Sequence, residues 1–192
     1  MSLQPLSTPV NVIGKEHHEQ LSFLMNEKFW AFSQGNFKIK DLNGNILFES
    51  SSQTFSKTRT ITYPNGQELA QLKQKFFAFR TTFEVFQNGE CKGTIQQKCG
   101  LGIVVQGEFK TMKGDMVRIY AKRGWGFNNT TIIHLEDKTG PVIAVTERDF
   151  NLKDVLGGRQ TYLCKVAPNM DIPLIVLILM AVDKIYDQRN KS

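Results

Sequence analysis

Twelve of the chain's 24 basic residues fall between positions 57 and 123, against five acidic ones, and this is where the sequence offers chemistry. Residues 1–56 hold four basic and five acidic side chains, and residues 124–192 hold eight of each, so the formal charge of +6 arises in the middle third. Lys73, Lys75 and Arg80 gather around one hairpin-like unit. Lys92, Lys98 and Lys110 follow on neighbouring segments, and Arg118, Lys122 and Arg123 close the run just before Gly124-Trp125-Gly126-Phe127. Lys73 and Lys75 are two apart and share one face of a strand. Concentrated positive potential suits a polyanion. Cations beside Trp125 and Phe127 suit a membrane interface, with phosphate outside and apolar matter beneath, better than nucleic acid, which is not expected as a partner. The plain alternative is a solvated basic surface, since the outward positions of a β protein must be polar and lysine fills them.

The remaining reactive residue types form no catalytic pattern. His17 and His18 stand in HHEQ, which is not the HExxH zinc pattern, and His134 alternates with Ile133 and Leu135 as a strand residue. Cys91, Cys99 and Cys164 are odd in number and include no CxxC pair, which argues against a disulfide framework or zinc knuckle and fits a reducing compartment. Gly100-Leu101-Gly102 leads into a strand pattern, whereas a dinucleotide loop must open a helix. Asp171 and Asp183 flank an apolar run and read as helix boundaries; a calcium ion wants six to eight oxygens. No catalytic residue, metal site or cofactor is expected, and an enzyme is the class with least support.

These side chains must be positioned by something, and the organising element lies near the C-terminus. Residues 172–182 read IPLIVLILMAV, apolar on every side, inside a helix expected over 171–187 with Asp171 as cap and Pro173 in the first turn. A helix apolar all round is buried all round, in protein or in lipid. Lipid requires roughly 20 apolar residues, and eleven at about 1.5 Å each reach only about 16 Å, so a protein core is expected and a transmembrane segment is not.

The preceding chain reads as short strands. Phe37-Lys38-Ile39-Lys40 alternates, Asn43-Gly44 turns, and Ile46-Leu47-Phe48 returns. Phe83-Glu84-Val85-Phe86, preceded by Phe76-Phe77-Ala78-Phe79, repeats the unit around Asn88-Gly89. Ile132 to Leu135 repeats it again around Asp137 to Gly140. About twelve strands result, mostly joined by tight turns that favour antiparallel neighbours. A helical turn is expected over 150–156 and a last strand over 161–166. A long antiparallel sheet must bury its apolar face and manage its edges, and a helix apolar all round must be covered; closing the sheet around the helix does both. The fold class is therefore mostly β, a barrel of about twelve antiparallel strands around a C-terminal helix. Residues 21–192 make one domain, and the polar, mixed residues 1–20 make a flexible leader with no secretory h-region.

The stretches FSQGNFKIKDLNGNILFE, IIHLEDKTGPVIAVTERDF and NMDIPLIVLILMAVDKIYD resemble the LURP-one-related proteins, which group with Tubby C-terminal domains and phospholipid scramblases. The resemblance covers roughly residues 20–188. It implies a twelve-stranded barrel around a central helix and a cytoplasmic protein, peripheral to membrane or nuclear in some settings. In relatives the roles it implies range from phosphoinositide binding to lipid scrambling and defence signalling. Scramblases carry an acidic calcium-binding segment beside the terminal helix; here the approach VAPNMD has one acid, so calcium-dependent scrambling is not implied. The expectation is a non-enzymatic module contacting anionic phospholipid or phosphoinositide headgroups through the basic middle third. The alternatives are a scramblase-like lipid-translocating membrane protein and a scaffold with a protein partner.

Overall fold

The computed structural model describes residues 2–14, 17–26, 36–52, 57–124, 130–149 and 161–190. Among these residues twelve strands precede one helix: β1 (Leu21–Asn26), β2 (Phe37–Asp41), β3 (Ile46–Ser52), β4 (Thr58–Thr62), β5 (Glu68–Gln74), β6 (Thr82–Gln87), β7 (Glu90–Lys98), β8 (Ile103–Lys110), β9 (Met116–Arg123), β10 (Thr131–Leu135), β11 (Val142–Asp149), β12 (Thr161–Val166) and α1 (Ile172–Asn190). Each strand pairs antiparallel with its sequence neighbours, and β1 pairs with β12 from Leu21↔Val166 to Asn26↔Thr161, which closes the barrel. Tight turns supply the meander: Asn88 and Gly89 sit at φ of 51° and 80°, the left-handed pair of a two-residue hairpin.

Period-two alternation decides which side chains point inward. On β9, Val117, Ile119, Ala121 and Arg123 are buried, while Met116, Arg118 and Lys122 are exposed. The inward sets of the strands and α1 form one buried apolar cluster, and residues 172–183 of α1 are all buried. Pro173 stands in the first turn, and Asp171 caps the helix, its Oδ1 accepting the Leu174 N–H at 2.9 Å. The helix runs three residues beyond its expected end at 187. Glycine makes room for the Phe109 ring on two strands: a Cβ on Gly93 would collide with that ring and with the Glu108 carbonyl, and a Cβ on Gly107 would collide with the ring as well. Protein encloses residues 172–182, so the expectation of a buried core helix holds. Among the described residues no helix is long and apolar enough to cross a membrane.

Residues 2–14 correct the expectation of a flexible leader. Leu3, Leu6, Val10, Val12 and Ile13 are all buried. Val10 forms a parallel bridge with Met170, the Leu6 N–H donates to Pro168 O, and the Met112 N–H donates to Asn11 O. The physical reason is a distant acceptor: Asp171 Oδ2 receives the backbone N–H groups of Val12 (2.8 Å), Ile13 (2.6 Å) and Gly14 (2.9 Å). The leader thus seals the barrel end at which the helix begins. The expected turn at 150–156, and Trp125 and Phe127, lie outside the described residues.

Candidate functional site

An up-and-down meander gives the barrel two rims, and the strand directions assign each basic residue to one of them. The sealed rim holds the leader, the start of α1 and the turns after β6, β8 and β10. The opposite rim holds the end of α1, the 75–81 loop after β5 and the 99–102 loop after β7. Helix and wall meet at this open rim: Gln188 Nε2 donates to Gln74 Oε1 at 3.4 Å, and Arg189 Nη1 donates to Gly102 O at 3.1 Å.

The nine candidate cations do not form one cluster. Lys92, Lys110 and Arg118 lie toward the sealed rim, where carboxylates accompany them. Lys92 Nζ is 2.6 Å from Glu90 Oε2, Arg118 Nε is 3.2 Å from Glu108 Oε1, and Lys110 acts electrostatically on Glu90. Such exposed pairs contribute little to stability but cancel the outward field. Lys73, Lys75, Arg80, Lys98 and Lys122 lie at the open rim, with Lys98 donating to Gln96 Oε1 at 2.7 Å. The sequence reading therefore merged two opposite ends of the molecule.

Arg123 requires a correction, because it is not a surface residue. It is 2% exposed inside the barrel, with Nη1 3.4 Å from Asp183 Oδ1 and its guanidinium 4.0 Å from the Tyr186 ring. Its place in the inward series Val117, Ile119, Ala121 was the sequence signal for this. Arg59 is likewise fully buried, shares its face with Ile61, and donates from Nη1 to Ser50 Oγ at 3.3 Å. Burial pulls the Arg59 guanidinium down to about 10, and the Asp183 charge opposes that pull. Burial also pushes the Asp183 carboxyl well above its ordinary range, with Asp187 adding to the push and Arg123 and Arg59 pulling back. The Arg123–Asp183 contact therefore ties α1 to β9 from within, with Arg59 on β4 acting on the same carboxyl electrostatically, a structural role that removes Arg123 from any ligand site.

What remains at the open rim is a compact site. A cleft of about 510 Å³ is lined by Lys57, Lys73, Lys75, Phe76, Phe77 and Glu84, together with Thr58 and Gln74. Thr58 pairs with Lys73, and the Gln74 N–H donates to Lys57 O at 3.1 Å, so β4 and β5 hold the three lysines side by side. Glu84, opposite Lys73 on β6, pairs with Lys75 at 3.1 Å. Lys73 Nζ lies 4.4 Å from the Phe86 ring centroid, and Lys57 Nζ lies 4.2 Å from that of Phe76. Three ammonium groups, one carboxylate and aromatic walls can receive a phosphorylated, partly apolar ligand.

A second cavity of about 560 Å³ lies under the leader at the sealed rim, and its lining of Ser2 to Thr8, Leu135, Pro141 and Val142 carries no charge. His134 Nδ1 meets Gly140 O at 2.9 Å and ties down its own turn. Among the described residues no group of His, Cys, Asp and Glu could hold a metal ion.

Sequence reasoning missed Lys57 and the exposure of Phe76, Phe77 and Phe79, which it named only as the run preceding a strand. The signal was present: an aromatic run bracketed by Lys73, Lys75 and Arg80 cannot alternate inward and outward. A family model described as LURP-one-related matches residues 21–183. Protein LURP-one-related 15 of Arabidopsis thaliana is 22% identical over 171 residues, which is 82% of this chain and 76% of that protein. No solved structure matches at a significant level.

Proposed function

The chain belongs to the LURP-one-related family, and on that premise we propose that it is a non-enzymatic binding module for anionic phospholipid headgroups, phosphoinositides among them. The observation that carries this reading is the open-rim cleft, where Lys57, Lys73 and Lys75 converge with one paired carboxylate. A headgroup bearing phosphates meets several ammonium groups there, and Arg80 and Lys122 add positive potential at the same rim. Cations near an anionic membrane surface contribute about 1 kcal/mol each, so five cations, less the charge that Glu84 cancels on Lys75, give roughly 4 kcal/mol, an affinity of about 1 mM that weakens with salt. The reading places the protein at the periphery of a membrane, with the sealed rim turned away from it.

Sedimentation with liposomes tests this. Binding to vesicles with anionic lipid is expected at low salt and is expected to weaken as the Debye length contracts. Charge reversal at Lys73 and Lys75 together is expected to lower binding at least about tenfold, the loss of some 1.4 kcal/mol or more. Reversal at Lys92 and Lys110, on the far rim, is expected to leave most of it. Equal losses from both pairs, or no binding at low salt, would remove the site.

A further inference from the structure

The open rim has a feature that charge does not account for. Phe77 is 105% and Phe79 100% exposed, and Phe76 is 69% exposed. Leu101, on the next loop of the same rim, is 88% exposed. The loop that presents these rings is tied at its base: the Lys75 N–H donates to Thr82 O at 2.9 Å, Thr82 Oγ1 donates to Arg80 O at 2.9 Å, and the Gln97 N–H donates to Thr81 O at 2.9 Å. Two fully exposed phenylalanines on a closed hairpin tip form an unpartnered apolar point, and scattered surface hydrophobics do not gather in this way. Cations ring that point. Lys57 lies over Phe76, Lys73 and Lys75 flank one side, and Arg80 follows Phe79 directly.

We propose that the 75–81 loop is a membrane-insertion loop. Phe77 and Phe79 enter the boundary between headgroups and acyl chains of an anionic bilayer, Phe76 and Leu101 rest at its edge, and Lys73, Lys75 and Arg80 stay at the phosphates. The charge pattern selects this occupant: an apolar tip within a cationic collar matches an apolar interior beneath an anionic surface. The inference rests on the headgroup reading and deepens it, because it makes the intact bilayer the ligand, whereas the cleft alone would accept a free headgroup. It also sets the posture of the molecule, with the barrel's open rim on the lipid and the leader-sealed rim in water.

The experiment compares the parent protein with Phe77→Ser/Phe79→Ser and Lys73→Glu/Lys75→Glu on phosphatidylcholine vesicles containing phosphatidylserine or phosphatidylinositol 4,5-bisphosphate, at about 0.05 and 0.5 M salt. All substituted side chains lie outside the core, so each variant is expected to keep the parent's melting temperature. The parent is expected to retain a salt-resistant fraction of binding. The double serine variant is expected to lose about 10²-fold in affinity, the transfer contribution of two phenylalanine side chains, chiefly from that fraction. The lysine variant is expected to lose the salt-sensitive fraction. Phe77→Trp, read as a difference spectrum against the parent, is expected to shift to the blue on vesicles and to be quenched by acyl-chain bromines. Soluble inositol phosphate is expected to compete only weakly.

A serine variant that sediments like the parent, or a bound Phe77→Trp protein with unshifted emission, would overturn insertion and leave headgroup binding standing. A parent that ignores every vesicle at low salt would overturn both. Vesicles ignored while a partner protein binds through the same loop would replace the lipid with that partner and overturn the proposal.

Discussion

Replacing Asp171 by alanine should release the leader. Asp171 Oδ2 holds three leader N–H groups at 2.6 to 2.9 Å, and Oδ1 holds the Leu174 N–H that begins α1. Hydrogen bonds to a charged acceptor contribute about 1.5–3 kcal/mol each, so the three leader bonds sum to roughly 4–9 kcal/mol. That sum is an upper bound, because they share one oxygen and the freed N–H groups regain water when the leader lifts. The cap bond adds about 1 kcal/mol. The expected loss is therefore about 3–5 kcal/mol, which in a domain of this size lowers Tm by roughly 6–20 °C. Leu3, Leu6, Val10, Val12 and Ile13 would also become exposed. Limited proteolysis should then cut within residues 2–14 of the variant and spare the parent. Asp171→Asn keeps one carbonyl oxygen but turns an amide NH2 toward N–H donors, so it should fall between the two. An alanine variant that melts within about 2 °C of the parent, with its leader still protected, would refute the claim that this carboxyl holds the seal.

Three further predictions follow from the interior. Leu177 is fully buried on α1, so Leu177→Ala should cost about 2–5 kcal/mol in urea denaturation, and Leu177→Asp should cost more by placing an unpaired charge in the barrel; an aspartate variant with the parent's midpoint would contradict the enclosed helix. The Asp183 carboxyl is raised by burial from 3.8, so folded protein keeps its proton after the unfolded chain has lost its own, and unfolding releases it. Its contribution therefore makes stability fall as pH rises above about 4, and Asp183→Asn should flatten that fall between pH 4 and 7; an unchanged slope in urea midpoints would mean that the carboxyl is already ionised there. Cys91 and Cys99 are exposed, while burial pushes the Cys164 thiol up, so a disulfide reagent should titrate two thiols in the native protein and the third only after denaturation; three fast thiols would count against the packing of β12 on the helix.

Much of the fold was legible because its determinants are local in the chain. Residues 172–182 show no polar face, and only enclosure accommodates such a helix once it is too short for lipid. Asn43-Gly44 and Asn88-Gly89 mark hairpins by their tolerance of positive φ, and the resulting antiparallel meander closes where β1 meets β12. The alternation along β9 already set Arg123 with Val117, Ile119 and Ala121, a parity outweighed by its charge when the basic run was read as surface. The positive excess of the middle third was legible as well, but not its division. Strands that run up and down carry Lys73 and Lys98 to one rim and Lys92 and Lys110 to the other, although all four lie within 38 residues of one another.

What only the tertiary structure decided depends on partners far away in sequence. The leader has no periodicity and reads as polar, yet it packs because an acceptor 157 to 159 residues downstream gathers its N–H groups. The run from Phe76 to Phe79 has the composition of a core strand, yet it caps a hairpin because the inward positions beside it are already filled by Leu72, Phe83 and Val85. A side chain's own chemistry sets what it can tolerate; the volume and hydrogen-bond partners left by the rest of the chain set where it goes.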